Sequence, residues 1–78
     1  MNVREILAQR LRQRRLELGL KQTLLAQKVY FATSAPISAY ERQLTEPRLD
    51  TLYLLAKALH CSVDWLMGLT DDKKGGIR

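Results

Sequence analysis

Apolar residues recur at intervals of three and four along most of this 78-residue chain, which is the spacing of helices that bury one face. Asn2 followed three residues later by Glu5 is typical of a helix start, and Gly19 suits a helix end because glycine takes a positive φ without strain. Ser62 can cap a short helix and Gly68 can end it. The helices predicted outside the central part of the chain cover about residues 2–18, 49–59 and 63–67.

The central part of the chain predicts two short helices joined by a tight turn. The first covers about residues 22–29. The second opens at Thr33 or Ser34, whose hydroxyl groups can cap a helix, and Pro36 falls in its first turn, where a missing N–H does little harm. Helices with so short a link must cross, and the small Ala26 would let their backbones approach closely. This is the helix-turn-helix arrangement.

One arginine lies where the pattern predicts a buried face. Arg15 comes four residues after Leu11 and three before Leu18, so it shares the apolar side of the first helix. A buried charge without a partner is very costly. We therefore predict an ion pair between Arg15 and Glu41, at the end of the second short helix.

Length and composition indicate one domain, predicted over residues 1–69, followed by a flexible tail over 70–78. No apolar run is long enough to span a bilayer or to form a signal core. The single cysteine, Cys61, cannot form an internal disulfide. We expect a cytoplasmic protein with no room for a second, ligand-sensing domain, so that control acts through concentration, dimerisation or degradation.

The net charge of +5 is unevenly distributed. Residues 1–28 carry seven Lys or Arg against two Glu, whereas residues 29–72 carry three against six acidic residues. This distribution, with a sequence pI near 9.8, suits a polyanionic partner. A solvated basic helix face is the alternative that charge alone leaves open.

Candidate chemistry is sparse. His60 and Cys61 are adjacent, but the chain has no other His or Cys to complete a metal site. No nucleophile lies beside a predicted base, and no glycine-rich phosphate loop is present. We expect no metal, no cofactor and no enzymatic activity.

Four segments in order, LGLKQTLLAQKV, ISAYER, EPRLDTLYLLAKAL and SVDWLMG, resemble the family of lambda-type repressors and Cro proteins, also called the xenobiotic-response-element family. The resemblance covers about residues 4–69. It implies an all-α, compact five-helix lambda repressor-like domain that binds double-stranded operator DNA as a homodimer and regulates transcription.

The resemblance also implies roles for single residues. Arg15 and Glu41 match the family's ion pair, Ile37 and Tyr40 match buried positions, and Gln22 matches a glutamine that bridges a phosphate and the recognition helix. The positions expected to face bases are Thr33, Ser34, Ala35, Ser38 and Ala39, together with Gln43. The phosphate contacts expected under a DNA-binding function are Arg10, Arg12, Arg14, Lys21, Gln22 and Lys28, of which the resemblance itself implies only Gln22.

Two departures from the family pattern stand out. Ala26 and Ile37 are eleven residues apart instead of ten, so the turn at residues 30–32 carries one extra residue and the register of residues 30–34 stays open. Gln43 replaces the family's glycine, so either it takes a left-handed conformation or the helix ends differently.

Three functions remain open. The first is a DNA-binding transcriptional regulator, expected to be a repressor, with modest specificity because residues 33–39 contain no Arg, Asn, Gln or Lys. The second is an antitoxin-like or adaptor module whose main partner is a protein. The third is a basic amphipathic binder of membrane or RNA surfaces, which explains neither the helix spacing nor the Arg15–Glu41 pair.

Two sets of apolar residues each have two possible structural roles. Tyr30 and Phe31 are expected to pack in the core or the hinge, and exposure of the pair would reverse that expectation. A second group either completes the core or lines a two-fold dimer interface. Its members are Trp65, Leu66, Met67 and Leu69.

Overall fold

The computed structural model describes residues 2–74 of the chain. These residues contain five helices and no strand. The all-α, five-helix architecture predicted from the sequence is confirmed. The predicted helix ends agree with the structure to within about two residues. The helices are α1 (Val3–Glu17), α2 (Gln22–Lys28), α3 (Ala35–Glu41), α4 (Leu49–Ala58) and α5 (Val63–Leu66).

Two of the predicted helix caps are present, and one differs. The Asn2 side chain accepts a hydrogen bond from the Glu5 N–H at 2.9 Å, and the Ser62 hydroxyl oxygen accepts one from the Trp65 N–H at 2.9 Å. Ser34 precedes α3 but its side chain makes no capping bond. The Thr33 hydroxyl oxygen instead accepts from the Ala35 N–H at 3.3 Å, just before the helix.

All five helices end in the same way. The residue after each C-cap has a positive φ. Its own N–H and that of the following residue donate to carbonyls of the last turn, which is the Schellman motif. Gly19 and Gly68 suit this position. Tyr30, Gln43 and His60 also occupy it, although a left-handed conformation costs an L-residue about 1–2 kcal/mol. Gln43 thus follows the first of its two predicted alternatives.

The core lies where α1 meets α3 and α5, with α2 against α3 and α4 against α5. Two leucines within the predicted helices, Leu24 and Leu49, are exposed although their spacing matches the apolar faces of those helices. Leu24 lies one position before the stripe that α2 buries, and Leu49 starts α4 outside the core with 81% of its surface exposed. The fully buried large side chains are Leu11, Leu25, Ile37, Leu55, Leu59 and Leu66.

The segment at residues 70–74 folds back on the body of the domain. The Lys73 carbonyl accepts a hydrogen bond from the Ser62 N–H at 2.7 Å, and the Lys73 ammonium lies 3.3 Å from a Glu17 carboxylate oxygen. These residues, predicted to be part of a flexible tail, therefore have defined contacts. The rest of that tail, residues 75–78, lies outside the described residues. Within residues 2–74 no helix combines the length and hydrophobicity needed to cross a bilayer.

We expect Gln43→Gly to stabilise the domain, because glycine takes the left-handed conformation at no steric cost. The gain should be about 1 kcal/mol, which raises Tm by roughly 4–8 °C in a domain of this size. Thermal unfolding followed by circular dichroism measures it. Gly19→Ala is the matched control and should lower Tm, because it creates the same strain at the end of α1.

Candidate nucleic-acid interface

A buried ion pair joins α1 to the end of α3. The Arg15 guanidinium donates from Nε to Glu41 Oε2 at 2.7 Å and from Nη2 to Oε1 at 3.0 Å. Its Nη1 donates to the Leu20 carbonyl at 2.8 Å. The two side chains are only 9% and 3% exposed. The pair inferred from the burial of Arg15 is therefore present, in a bidentate geometry that fixes distance and orientation together.

Gln22 extends this pair into a three-residue network, Arg15–Glu41–Gln22. Its side-chain Nε2 donates to Glu41 Oε1 at 3.1 Å. Gln22 is the first residue of α2 and Glu41 the last of α3, so one carboxylate holds the start of α2 against the end of α3. Within the described residues the Gln22 carboxamide oxygen makes no hydrogen bond, which leaves it available to a ligand.

The outer surface of α3 is small and weakly polar. Ile37 and Tyr40 are buried on its inner side, as expected. Of the residues expected to face bases, Thr33, Ala35 and Gln43 are exposed. The half-buried ones are Ser34, Ser38 and Ala39.

The lengthened turn separates its two aromatic residues. Phe31 is half-buried, and its ring centroid lies 6.4 Å from that of Tyr40 at a tilt of 55°. Tyr30 has a φ of 65° and is 85% exposed. The expectation of core packing thus holds for Phe31 and is wrong for Tyr30.

Two arginines expected to contact phosphates donate hydrogen bonds to backbone carbonyls of the domain itself. Arg10 Nη1 donates to the carbonyls of Trp65 and Thr70 at 2.7 and 2.6 Å, and its guanidinium carbon lies 5.0 Å from the centroid of the Trp65 ring. Arg14 Nε donates to the Leu59 carbonyl at 2.8 Å. Both side chains therefore have structural roles, and we leave them out of the proposed DNA contacts.

The other predicted phosphate contacts have different positions. Arg12 and Lys21 are exposed, and Lys21 directly precedes Gln22. Lys28 is also exposed but lies at the opposite end of α2, in a cleft beside α4. Sequence reasoning missed Arg42 and Arg48, which are exposed in the connection from α3 to α4. The signal that could have identified them is their position in the connection that follows α3, at its first residue for Arg42 and just before α4 for Arg48.

The four candidates for a dimer interface differ in how exposed their side chains are. Trp65 and Leu66 are buried in the core of the domain itself, so neither is accessible to a second chain. Met67 is half-buried against that core. Leu69 is 73% exposed.

Cys61 is a buried thiol whose positive neighbours are too weak to activate it. Burial raises its pKa to about 11, and the positive charges of Arg14 and Lys74 offset only part of this effect. The thiolate, which is the form that attacks electrophiles or binds metals, is therefore scarce near neutral pH. Within the described residues no group of three His, Cys, Asp or Glu side chains is placed to hold a metal ion.

Arg15→Ala should destabilise the domain by about 3–5 kcal/mol, because it leaves the Glu41 carboxylate buried without its partner. Equilibrium unfolding in urea measures the loss. Arg12→Ala is a suitable control, since Arg12 is exposed one turn earlier on the same helix and should change stability by less than about 0.5 kcal/mol. Equal effects of the two substitutions would contradict a buried, stabilising pair.

The raised pKa of Cys61 predicts slow alkylation of the native protein. At pH 8 the thiolate should make up only about a thousandth of the native thiol. Iodoacetamide should therefore modify the native chain about 100-fold more slowly than the chain unfolded in guanidinium, whose thiol has an ordinary pKa. The rate should rise as the pH approaches 11, and a fast reaction at pH 8 would refute the assigned environment.

Comparison with known proteins places this arrangement in a family. A helix-turn-helix family model matches residues 11–66. The uncharacterized HTH-type transcriptional regulator YobD of Bacillus subtilis (strain 168) is 44% identical over 64 residues, which are 82% of this chain and 56% of that protein. Repressor protein C2 of Salmonella phage P22 is 40% identical over 63 residues, which are 81% of this chain and 29% of that protein. The chain thus matches about half of one relative and under a third of the other.

A solved structure is similar over most of the chain. The crystal structure of the P22 c2 repressor protein in complex with a synthetic operator superposes with a TM-score of 0.76 at 39% identity. The match covers 80% of this chain and 92% of that one. Sequence and fold therefore agree, and this chain belongs to the helix-turn-helix family of the lambda repressor, or xenobiotic-response-element, type.

Proposed function

We propose that the chain is a sequence-specific, double-stranded DNA-binding transcriptional regulator that represses as a dimer on a pseudo-palindromic operator. The observation that carries this proposal is the Arg15–Glu41–Gln22 network, because it fixes the start of α2 against the end of α3. A recognition helix reads base edges only when its position on the duplex is fixed. The P22 c2 repressor, whose crystal structure contains a synthetic operator, supports the proposal by its similarity.

The phosphate contacts are proposed at the two ends of the helix-turn-helix unit. Lys21 and Gln22 lie at the start of α2, while Arg42 and Arg48 follow α3, and all but Gln22 are exposed cations. Gln22 would accept or donate from the part of its carboxamide that Glu41 does not engage. Arg12 is kept as a further proposed contact because it is exposed on α1. Such contacts orient the protein and supply a salt-dependent share of the affinity.

The base contacts are proposed along the outer surface of α3 and at Gln43. Each serine or threonine hydroxyl makes one hydrogen bond that does not distinguish bases strongly, and the alanine methyl groups suit thymine methyls. The members of this set are Thr33, Ser34, Ala35, Ser38, Ala39 and Gln43. Within this set only the Gln43 amide can make two hydrogen bonds to one base. Discrimination between operator sequences should therefore be modest and should depend in part on DNA shape.

Dimerisation is proposed through the surface beside α5. Leu69 is exposed and Met67 is half-buried next to it, whereas Trp65 and Leu66 are inaccessible. In a two-fold dimer the recognition helices should lie one DNA turn apart, roughly 34 Å. The operator should then contain two inverted half-sites.

Selection from a random duplex library at two salt concentrations, followed by sequencing, tests the function as a whole. We expect enrichment of a pseudo-palindrome and an affinity that falls steeply as salt rises. Binding without enrichment at either salt concentration, or no binding at low salt, would be evidence against a sequence-specific regulator.

The phosphate contacts can be tested separately by substitution. Lys21→Ala should weaken binding to all duplexes alike and reduce the slope of log affinity against log salt by about 1. Lys57→Ala is the control. It removes one positive charge from the last turn of α4, away from the proposed DNA contacts, and should leave the slope unchanged. Equal slopes for the Lys21→Ala variant and the unmodified protein would remove Lys21 from the interface.

A further inference from the structure

The C-terminal ends of α2 and α4 form an open cleft, which we call the Tyr30 cleft. Its volume is about 280 Å³, and no acidic side chain lines it. Leu54 and Ala58 supply an apolar floor between basic side chains. Its lining residues are Lys28, Tyr30, Leu54, Lys57, Ala58 and His60. An adjoining cleft shares Lys57 and His60 and adds Lys74, so positive charge continues beyond it.

Tyr30 contributes an exposed aromatic ring that the fold does not use. Its backbone is left-handed at φ 65°, in a position where glycine is the favoured residue. Phe31 and not Tyr30 packs the turn against Tyr40. Because burial of the ring does not offset the backbone strain, the ring is suited to contact something outside the domain. Tyrosine is among the residues enriched at the energetic hot spots of protein interfaces.

The Tyr30 cleft is separated from the proposed DNA contacts. Lys28 and Gln22 are at opposite ends of the seven-residue α2, about 9 Å apart along the axis. Lys57 is near the end of the ten-residue α4, whereas Arg48 precedes its start. The proposed phosphate contacts Lys21, Gln22 and Arg48 are thus at the N-terminal ends of these two helices, and the cleft is at their C-terminal ends.

We propose that the Tyr30 cleft docks an acidic segment of a partner protein. The Tyr30 ring and the apolar floor receive an apolar side chain of that segment, while Lys28, Lys57 and His60 face its carboxylates. Charge complementarity indicates the occupant, since the cleft has several basic groups and no acidic one. A protein segment fits better than duplex DNA, because the bases of a duplex are stacked inside it and the phosphate backbone offers no apolar side chain to contact Leu54 and Ala58. The proposal does not depend on DNA binding.

Titration of the whole chain with a synthetic peptide tests the proposal. The probe alternates Glu with Leu, and a peptide with Lys in place of Glu serves as the charge-reversed comparison. In two-dimensional NMR spectra the acidic probe should shift the amides of Lys28, Tyr30, Lys57 and His60, and the basic peptide should not. Fluorescence anisotropy of the labelled probe then gives the affinity.

Tyr30→Gly separates docking from stability. It removes the ring and relieves the backbone strain, so Tm should rise while the affinity for the probe falls by about tenfold or more. Gln43→Gly is the matched control, because it relieves the same strain at the end of α3 and should leave the affinity for the probe unchanged. Binding of the selected operator duplex should be the same for Tyr30→Gly and the unmodified chain.

Three results would overturn the proposal. Shifts centred on Lys21, Gln22 and Ser38 would mean that the acidic probe only imitates DNA. Shifts in the Tyr30 cleft caused by duplex DNA would make it a nucleic-acid surface. Absence of any shift at high probe concentration would mean that the cleft does not recognise acidic segments.

Discussion

One carboxylate holds the helix-turn-helix unit together. Glu41 accepts two hydrogen bonds from Arg15 on α1 and one from Gln22 on α2, while it belongs itself to α3. Removal of two charges from water is costly, and the bidentate geometry with the added Gln22 and Leu20 contacts offsets that cost. A nonpolar replacement could fill the same space, but it would not set the orientation of three helices through directional bonds. This orientation determines which side of α3 is exposed.

The extra turn residue is accommodated because its effect stays local. α2 ends in a Schellman motif, with Tyr30 in the left-handed position and Phe31 returning its N–H to the Ala26 carbonyl at 2.9 Å. Phe31 then packs towards Tyr40, and Ile37 remains fully buried. Residues 32–34 lie outside the buried core, so the lengthened connection leaves the packing of α2 against α3 intact. Tyr30 holds the left-handed position with a backbone strain that a glycine would have avoided.

Local sequence signals predicted the helices well because their causes are local. Asn2 caps a residue three positions away, and the burial of Arg15 follows from helical spacing alone. The roles of Arg10 and Trp65 had no such signal. Arg10 donates to carbonyls 55 and 60 residues further along the chain, and these come near it only once α5 packs against α1. Charge counts could not distinguish an arginine held inside the domain from one available to DNA.

Because several arginines are bonded inside the domain, the basic composition overstates the positive charge that is available to a partner. Of the seven positive residues in the first 28, Arg10, Arg14 and Arg15 donate to carbonyls or carboxylates of the domain, and Arg4 pairs with Glu46 at 2.8 Å. The positive charge left for partners is that of Arg12 on α1 and of the two lysines at the N-terminal and C-terminal ends of α2. Lys21 directly precedes Gln22, whose side chain contacts the end of α3, and Lys28 lines the Tyr30 cleft. Because these two lysines are at opposite ends of α2, the distribution of positive charge is consistent with the proposed docking surface at the Tyr30 cleft beside the proposed DNA contacts.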